Sequence, residues 1–247
     1  MPSNTNTKPV INDFAACHTG VVRSHNEDAV LSLSEQGLWA VADGMGGHDR
    51  GDYASQLVIS SLLDMTLSPE APLDTQIASI HRILQQSSQR LVDIAQEISH
   101  DTIIGTTVVV AVLRANQFGC FWAGDSRAYR LRGSTLAQLT TDHTVANELM
   151  REQGLSPDEA HGVQGAEALT TAVGASVFTP QVIYEELHPG DRICLCSDGL
   201  NKMVPDWEIE SVLNARQSAE DAVQQLLGLC LARQATDNVS IIVVDYG

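Results

Sequence analysis

At 247 residues, 43% of them apolar and only 4% aromatic, the chain suits one large domain, or at most two small ones, around an aliphatic core. A net charge of −17 and the lack of any Lys/Arg-rich tract argue against nucleic acid or an anionic membrane as partner. No apolar stretch approaches the ~20 residues of a membrane span. The polar N-terminus lacks the apolar centre of a signal peptide. The five cysteines form no C-x-x-C pair and read as reduced, mostly buried residues. A cytoplasmic monomer is the expectation.

In chain order, residues 1–9 read as a disordered tail. Short strands follow at Asp13–His18, Asp28–Leu33 and Leu38–Ala42, punctuated by Gly20 and Gly37. After a glycine-rich loop at Asp43–Gly51 the period changes. Ala54, Leu57, Val58, Ser61, Leu62 and Met65 fall on one helical face, and so do Ile77, Ile80, Leu84, Leu91, Ile94 and Ile98 beyond Pro69 and Pro72. The middle of the chain reads as a β meander through Gly105–Leu113, Gln117–Ala123, Ala128–Leu131 and Leu136–Thr140, joined by turns and so antiparallel. The polar stretch 143–171, with weak helical signals, looks like a flap between strands. Strands at Gln181–Leu187 and Asp191–Cys196, helices at Asp206–Asn214 and Ala219–Ala232, and a strand at Val239–Asp245 complete the pattern. Cys194 and Cys196 should face one side of their strand, and Trp207 should pack a helix start. Many strands with helices early and late suggest two antiparallel sheets packed face to face with helices outside. This is an α+β fold, a four-layer α-β-β-α sandwich, as one domain over residues 10–247.

Five aspartates sit at the ends of strand-like runs: Asp28, Asp43, Asp125, Asp198 and Asp237. Alone, each short motif around them reads as a structural turn. Together they shift the balance. If the runs are central strands, the acids meet at one edge of the sandwich and repel strongly. Hard divalent cations, Mg²⁺ or Mn²⁺, neutralise such a cluster with oxygen ligands. Two ions about 3.5–4 Å apart can share a water, lower its pKa and aim it at phosphorus. Gly44 lets its carbonyl approach an ion. Arg23 can grip phosphate oxygens in a bidentate fork; without the acids it would read as a surface ion pair.

These segments resemble, in order, the metal-dependent protein serine/threonine phosphatases of the 2C type (PPM family), in their compact bacterial branch. The resemblance runs from about Gly20 to Tyr246. It rests on Arg23…Asn26-Glu27-Asp28, Val41-Ala-Asp-Gly-Met-Gly-Gly47, Gly105-Thr-Thr107, Gly124-Asp-Ser-Arg127, Thr141-Asp-His143, Leu169-Thr…Val173-Gly174, Ser197-Asp-Gly-Leu200 and Thr236-Asp-Asn-Val239. It implies that Asp43 bridges two ions with the Gly44 carbonyl on one. Asp198 and Asp237 would hold one ion, and Glu27 and Asp28 would serve the other, largely through waters. Asp125, with Asp198, would support a third, weaker ion, and Arg23 would bind phosphate. Met45 stands where animal members carry the His proposed as proton donor. His48 is the candidate general acid instead, the alternative being a His that bonds the loop backbone. Thr171 stands where relatives commonly carry Arg, which bears on flap-side substrate contacts. Asp142 reads as a helix N-cap.

The implied activity is hydrolysis of phosphoserine and phosphothreonine in proteins, reversing a Ser/Thr kinase. The nucleophile the resemblance implies is metal-bound water, with no catalytic cysteine. Two alternatives stand beside it: a catalytically silent phosphoprotein-binding regulator of the same fold, and a small-molecule phosphoesterase.

Overall fold

The computed structural model describes residues 10–46, 50–65, 70–99, 101–215 and 217–247. The expected tail to Pro9, the candidate acid His48 and Pro69 lie outside them. The chain opens with β1 (Ile11–His18), β2 (Asp28–Leu33) and β3 (Leu38–Gly46), then α1 (Gly51–Leu63) and α2 (Leu73–Ile98). The strands β4 (Ile104–Thr106), β5 (Val108–Arg114), β6 (Gln117–Ala123), β7 (Arg127–Arg132) and β8 (Thr135–Gln138) follow. Helices α3 (Val145–Gln153) and α4 (Pro157–His161) precede β9 (Gln181–Glu186) and β10 (Asp191–Cys196). The chain then forms α5 (Asp198–Asn201), α6 (Asp206–Leu213), α7 (Ala219–Ala232) and β11 (Val239–Tyr246).

The strands build two antiparallel sheets, ordered β1-β11-β10-β7-β8 and β2-β3-β5-β6-β9, with β4 paired to β3. Strand alternation then creates three apolar layers. On β3, Trp39 and Val41 point between the sheets, where they meet Ile193, Leu195, Ile242 and Val244 of the other sheet. Leu38, Ala40 and Ala42 point the other way, beneath Ala54, Val58 and Leu62 of α1 and Ile80 and Leu84 of α2. On β10, Cys194 and Cys196 both face outward against Val223 and Leu226 of α7, on one side of the strand as their spacing predicts. The four-layer α-β-β-α sandwich of two antiparallel sheets follows directly from these alternations.

Several local readings change. The middle strands are not one meander. β6 pairs with β5 and β9, whereas β7 pairs with β10 and β8, so the Gly124–Ser126 turn carries the chain from one sheet to the other instead of closing a hairpin. The run at Gly105–Leu113 breaks at Thr107, whose N–H donates to the Asp43 carbonyl at 2.8 Å. β3 runs on past Ala42 to Gly46, because Gly44, Met45 and Gly46 pair with Thr106, Gly105 and Ile104. Trp207 is 70% exposed and packs no helix start. Cys17 is exposed, the other four cysteines are buried, and all five are free. Among the described residues, no helix is long and apolar enough to cross a membrane.

The 143–171 segment has its own small core of Ala146, Ala160 and Ala166, flanked by Leu149, Met150 and Leu155. Thr144, not Asp142, caps α3, accepting from the Asn147 N–H. Ser156 and Glu159 form a reciprocal capping box on α4. The Asp142 carboxylate is instead gripped by Arg127, through Nε at 2.9 Å and Nη2 at 2.7 Å.

Candidate active site

Two of the links that carry the chain between the sheets meet at one end of the sandwich. The link from β1 to β2 carries Arg23 and Glu27, and the link from β6 to β7 carries Asp125. Asp198 opens the short helix after β10, and Asp237 lies two residues before the start of β11. Asp28 and Asp43 are register partners on β2 and β3. Because side chains directly opposite in a sheet share a face, these two carboxylates meet at the same edge. The structure thus brings Asp28, Asp43, Asp125, Asp198 and Asp237 into mutual electrostatic reach across both sheets.

The frame around them is polar and closely specified. Ser197 Oγ donates to Asp28 Oδ2 at 2.7 Å and accepts from the Ser240 N–H at 3.0 Å, so one hydroxyl ties the two sheets together at the site. Asn238 spans the start of the chain from its far end. Its amide donates to the carbonyls of Thr19 (2.9 Å) and His25 (3.0 Å), and its Oδ1 accepts from the Glu27 N–H at 2.8 Å. Around Asp43, the main-chain N–H donates to Thr107 Oγ1 at 3.2 Å, and the carbonyl accepts from Thr106 Oγ1 at 2.9 Å. Thr107 Oγ1 in turn meets Ser126 Oγ at 2.6 Å, linking the Asp43 backbone to the turn that carries Asp125.

Two glycines are forced. A Cβ on Gly44 would lie 2.0 Å from the Gly51 carbonyl oxygen and 2.6 Å from that of Glu27. Three segments therefore meet at a position only glycine fits. Gly124 has φ +108°, a conformation L side chains avoid, and a Cβ there would strike Thr107 Cβ at 2.6 Å. Its N–H donates to His143 Nδ1 at 3.1 Å, while its carbonyl accepts from the His143 N–H at 3.0 Å. His143, stacked on Trp122, thus anchors the base of the flap to the Asp125 turn.

The acids are crowded and short of counter-charge. Burial, then the neighbouring carboxylates, push Asp43 well above the usual carboxylate range. Burial first, opposed by hydroxyl contacts and reinforced by Asp198 and Asp237, sets Asp28 at about 6. Burial and Asp198 lift Asp125 to about 7. Burial raises Asp198 too, against the opposing pull of Lys202. Among the described residues no three His, Cys, Asp or Glu side chains stand close enough to form a preassembled cage. Arg23 forks onto Asp237, its Nε 3.1 Å from Oδ1 and Nη2 3.1 Å from Oδ2, and Lys202 Nζ contacts Asp198 Oδ2. Two of the acids are thus paired with side-chain cations.

Glu27 bonds the start of α1. Its Oε1 accepts from the Gly51 N–H at 3.2 Å, at the first turn of α1, where the helix end favours an anion. Thr171 is buried, donates to the Val177 carbonyl (3.2 Å) and accepts from the Thr179 N–H (2.8 Å), which makes it a turn residue. Lys202, Asn238, Thr107 and Ser126 are the site residues that sequence reading missed. Lys202 was detectable only as an i+4 partner of Asp198 on a helix too short to show a period.

The residues suit a hard divalent cation. Every candidate donor is an oxygen, and among the described residues the buried Oδ1 atoms of Asp28 and Asp198 have no hydrogen-bond partner. Comparison with known proteins points the same way. The chain matches the family described as Protein phosphatase 2C over residues 21–237. It is 34% identical over 236 residues to the serine/threonine protein phosphatase PstP of Mycobacterium tuberculosis, a match covering 96% of this chain but 45% of PstP. The chain thus spans about half the length of that relative. It is 31% identical to the serine/threonine phosphatase stp of Listeria welshimeri, with 92% of each chain covered. Among solved structures, PppA, a key regulatory component of T6SS in Pseudomonas aeruginosa, superimposes with a TM-score of 0.87 at 35% identity, covering 96% of this chain and 98% of that one. The catalytic domain of PstP in complex with two manganese ions gives a TM-score of 0.83 at 33% identity, covering 96% and 99%. With the family match over residues 21–237 and these identities and superpositions, the chain belongs to the protein phosphatase 2C family.

Proposed function

We propose that this chain hydrolyses phosphoserine and phosphothreonine in proteins with the help of two divalent cations, Mn²⁺ or Mg²⁺, and so reverses a Ser/Thr kinase in the cytoplasm. The observation that carries the reading is the gathering of buried, mutually repelling carboxylates, two with orphaned oxygens, around one sandwich edge beside an arginine. Asp43, Asp28, Asp198 and Asp237 would hold the cations, with the Gly44 carbonyl and Glu27 in support. When bound, such a pair supplies an activated water and neutralises charge that develops on the phosphoryl group. The protein's own part is positional. Arg23, half-exposed at the mouth, exchanges Asp237 for the substrate's phosphate oxygens, a bidentate match for its guanidinium. Thr106, Thr107 and Ser126 fix the Asp43 backbone, and Asn238 holds the segment from Thr19 to Glu27. His48 remains the proposed proton donor to the departing hydroxyl.

The 143–171 flap, anchored by His143 beside the Asp125 turn, would shape access for a protein substrate. The whole described fold would act as one monomeric phosphatase domain. The net charge of −17 favours cationic partners over nucleic acid or anionic membrane. The test compares a phosphothreonine peptide with a small aryl phosphate, each with saturating Mn²⁺ and with chelator. Metal-dependent turnover of the peptide is expected. Turnover of the aryl phosphate alone would make the protein a small-molecule phosphoesterase, and inactivity on both would make it a silent binder.

A further inference from the structure

Lys202, which borders the acid cluster, has no task in the phosphatase reading. It caps the short helix α5, one turn beyond Asp198, and its Nζ contacts Asp198 Oδ2. An ordinary i,i+4 surface pair would see a single partner. Here Asp198 is only 8% exposed, and the ammonium lies within electrostatic reach of Asp125 and Asp237 as well, residues from two other parts of the fold. The opposite oxygen of Asp198, Oδ1, is buried and has no hydrogen-bond partner among the described residues. Asp198 therefore has two unequal sides. One is met by an internal cation that also reaches Asp125 and Asp237, and the other, buried and unpartnered among the described residues, asks for a cation.

On the basis of the two-cation reading above, we propose that the Lys202 ammonium is this protein's resident cation on the Asp125–Asp198 flank. Divalent ions are thereby directed to the side formed by Asp28, Asp43, Asp237 and Asp198 Oδ1. A third ion between Asp125 and Asp198 is held off for as long as Lys202 is in place. Repulsion decides this. A doubly charged ion about 5 Å from an ammonium loses more than about tenfold in affinity even at the dielectric of water, and more in a partly buried cleft. Lys202 is 49% exposed, so its side chain can swing away, and the exclusion is a bias in affinity that high metal concentration overcomes.

The test titrates chelator-stripped protein with MnCl₂. Bound ions are counted by calorimetry and by the loss of the free-Mn²⁺ paramagnetic resonance signal. Wild type, Lys202→Gln, Lys202→Arg and the double variant Lys202→Gln/Asp125→Asn are compared, each checked for cooperative melting. Wild type should take up two ions in the tighter range. Lys202→Gln should gain a third, or tighten a weak third class at least tenfold. Lys202→Arg should behave as wild type, and adding Asp125→Asn should abolish the gain. Identical isotherms for wild type and Lys202→Gln would overturn the proposal, as would a third tight ion in wild type or a gain that survives loss of Asp125. Failure of the underlying reading looks different: wild type would bind no Mn²⁺, or bind it equally well after Asp43→Asn.

Discussion

Stripping metal from this protein should make its stability fall as pH rises, through a window set by the buried acids. Asp28 is 6% exposed and is held at about 6 when no cation is present, against the ordinary 3.8 of an aspartate. A carboxyl raised on folding binds its proton more tightly in the native state than in the unfolded one. Its contribution is therefore intact below pH 3.8 and is lost as pH climbs through about 6. The displacement corresponds to about 3 kcal/mol in full, roughly half of it falling between pH 5 and pH 8. Asp28→Asn mimics the protonated form and keeps an acceptor for the Ser197 hydroxyl. In chelator, the advantage of Asp28→Asn over wild type should widen by about 1.5 kcal/mol from pH 5 to pH 8. At about 2–4 °C per kcal/mol for a chain of this size, the melting temperatures should diverge by roughly 3–6 °C. Excess Mn²⁺ should reverse the order at pH 8, since a ligand at 100 times its Kd adds about 2.7 kcal/mol to the protein that binds it. The measurement is differential scanning fluorimetry of both proteins across pH, with EDTA and with Mn²⁺. Parallel pH profiles in EDTA would refute the reasoning, because the crowding of acids would then cost nothing.

Other perturbations read different parts of the same site. Arg23→Ala should lower kcat/KM on a phosphothreonine peptide by about 10–100-fold, the value of a bidentate charge-assisted contact, and steady-state kinetics will show it. In the metal-free protein the same change also frees Asp237. Thr107→Val removes the acceptor for the Asp43 N–H and the partner of Ser126, and should weaken Mn²⁺ binding about 10–100-fold by calorimetry while the fold persists. Asn238→Ala strands the Glu27 N–H and two carbonyls, and should cost about 2–4 kcal/mol in urea unfolding.

Most of the fold could be read from alternation and helical period, because each strand has one face between the sheets and the other beneath helices. The strands Asp28–Leu33, Gln117–Ala123 and Asp191–Cys196 begin and end where their apolar runs do. Readings failed where local pattern gave way to long-range geometry. A run of valines after Gly105-Thr-Thr107 looks continuous, but Thr107 is pulled out of the ladder to bond Asp43, 64 residues earlier in the chain. The Gly124-Asp-Ser turn carries the residues of a hairpin, yet the sheet partners of β6 and β7 are different strands, and no local signal reports that. Asp142 has the right residue type for a cap, but Arg127 holds it in a two-pronged ion pair that is worth more. Trp207, expected to pack a helix start, is 70% exposed.

The position of the site at the sheet crossings also explains why its stability and its chemistry should be coupled. Asp28 and Asp43 belong to one sheet. Asp198 and Asp237 flank strands of the other, and Asp125 sits on the turn between the two. A cation held by acids of both sheets is therefore a clamp across the sandwich. Without it, the Ser197 hydroxyl, Arg23 and Lys202 are the contacts that oppose carboxylate repulsion there. All three are weak against a divalent ion, since one is neutral and the other two are singly charged, solvent-screened side chains. The edge of the sandwich proposed to receive substrate is thus also the edge that repulsion should loosen first. Metal loading should tighten it locally, with amide exchange slowing most at Glu27, Asp43 and Asn238 and least in the β7–β8 hairpin.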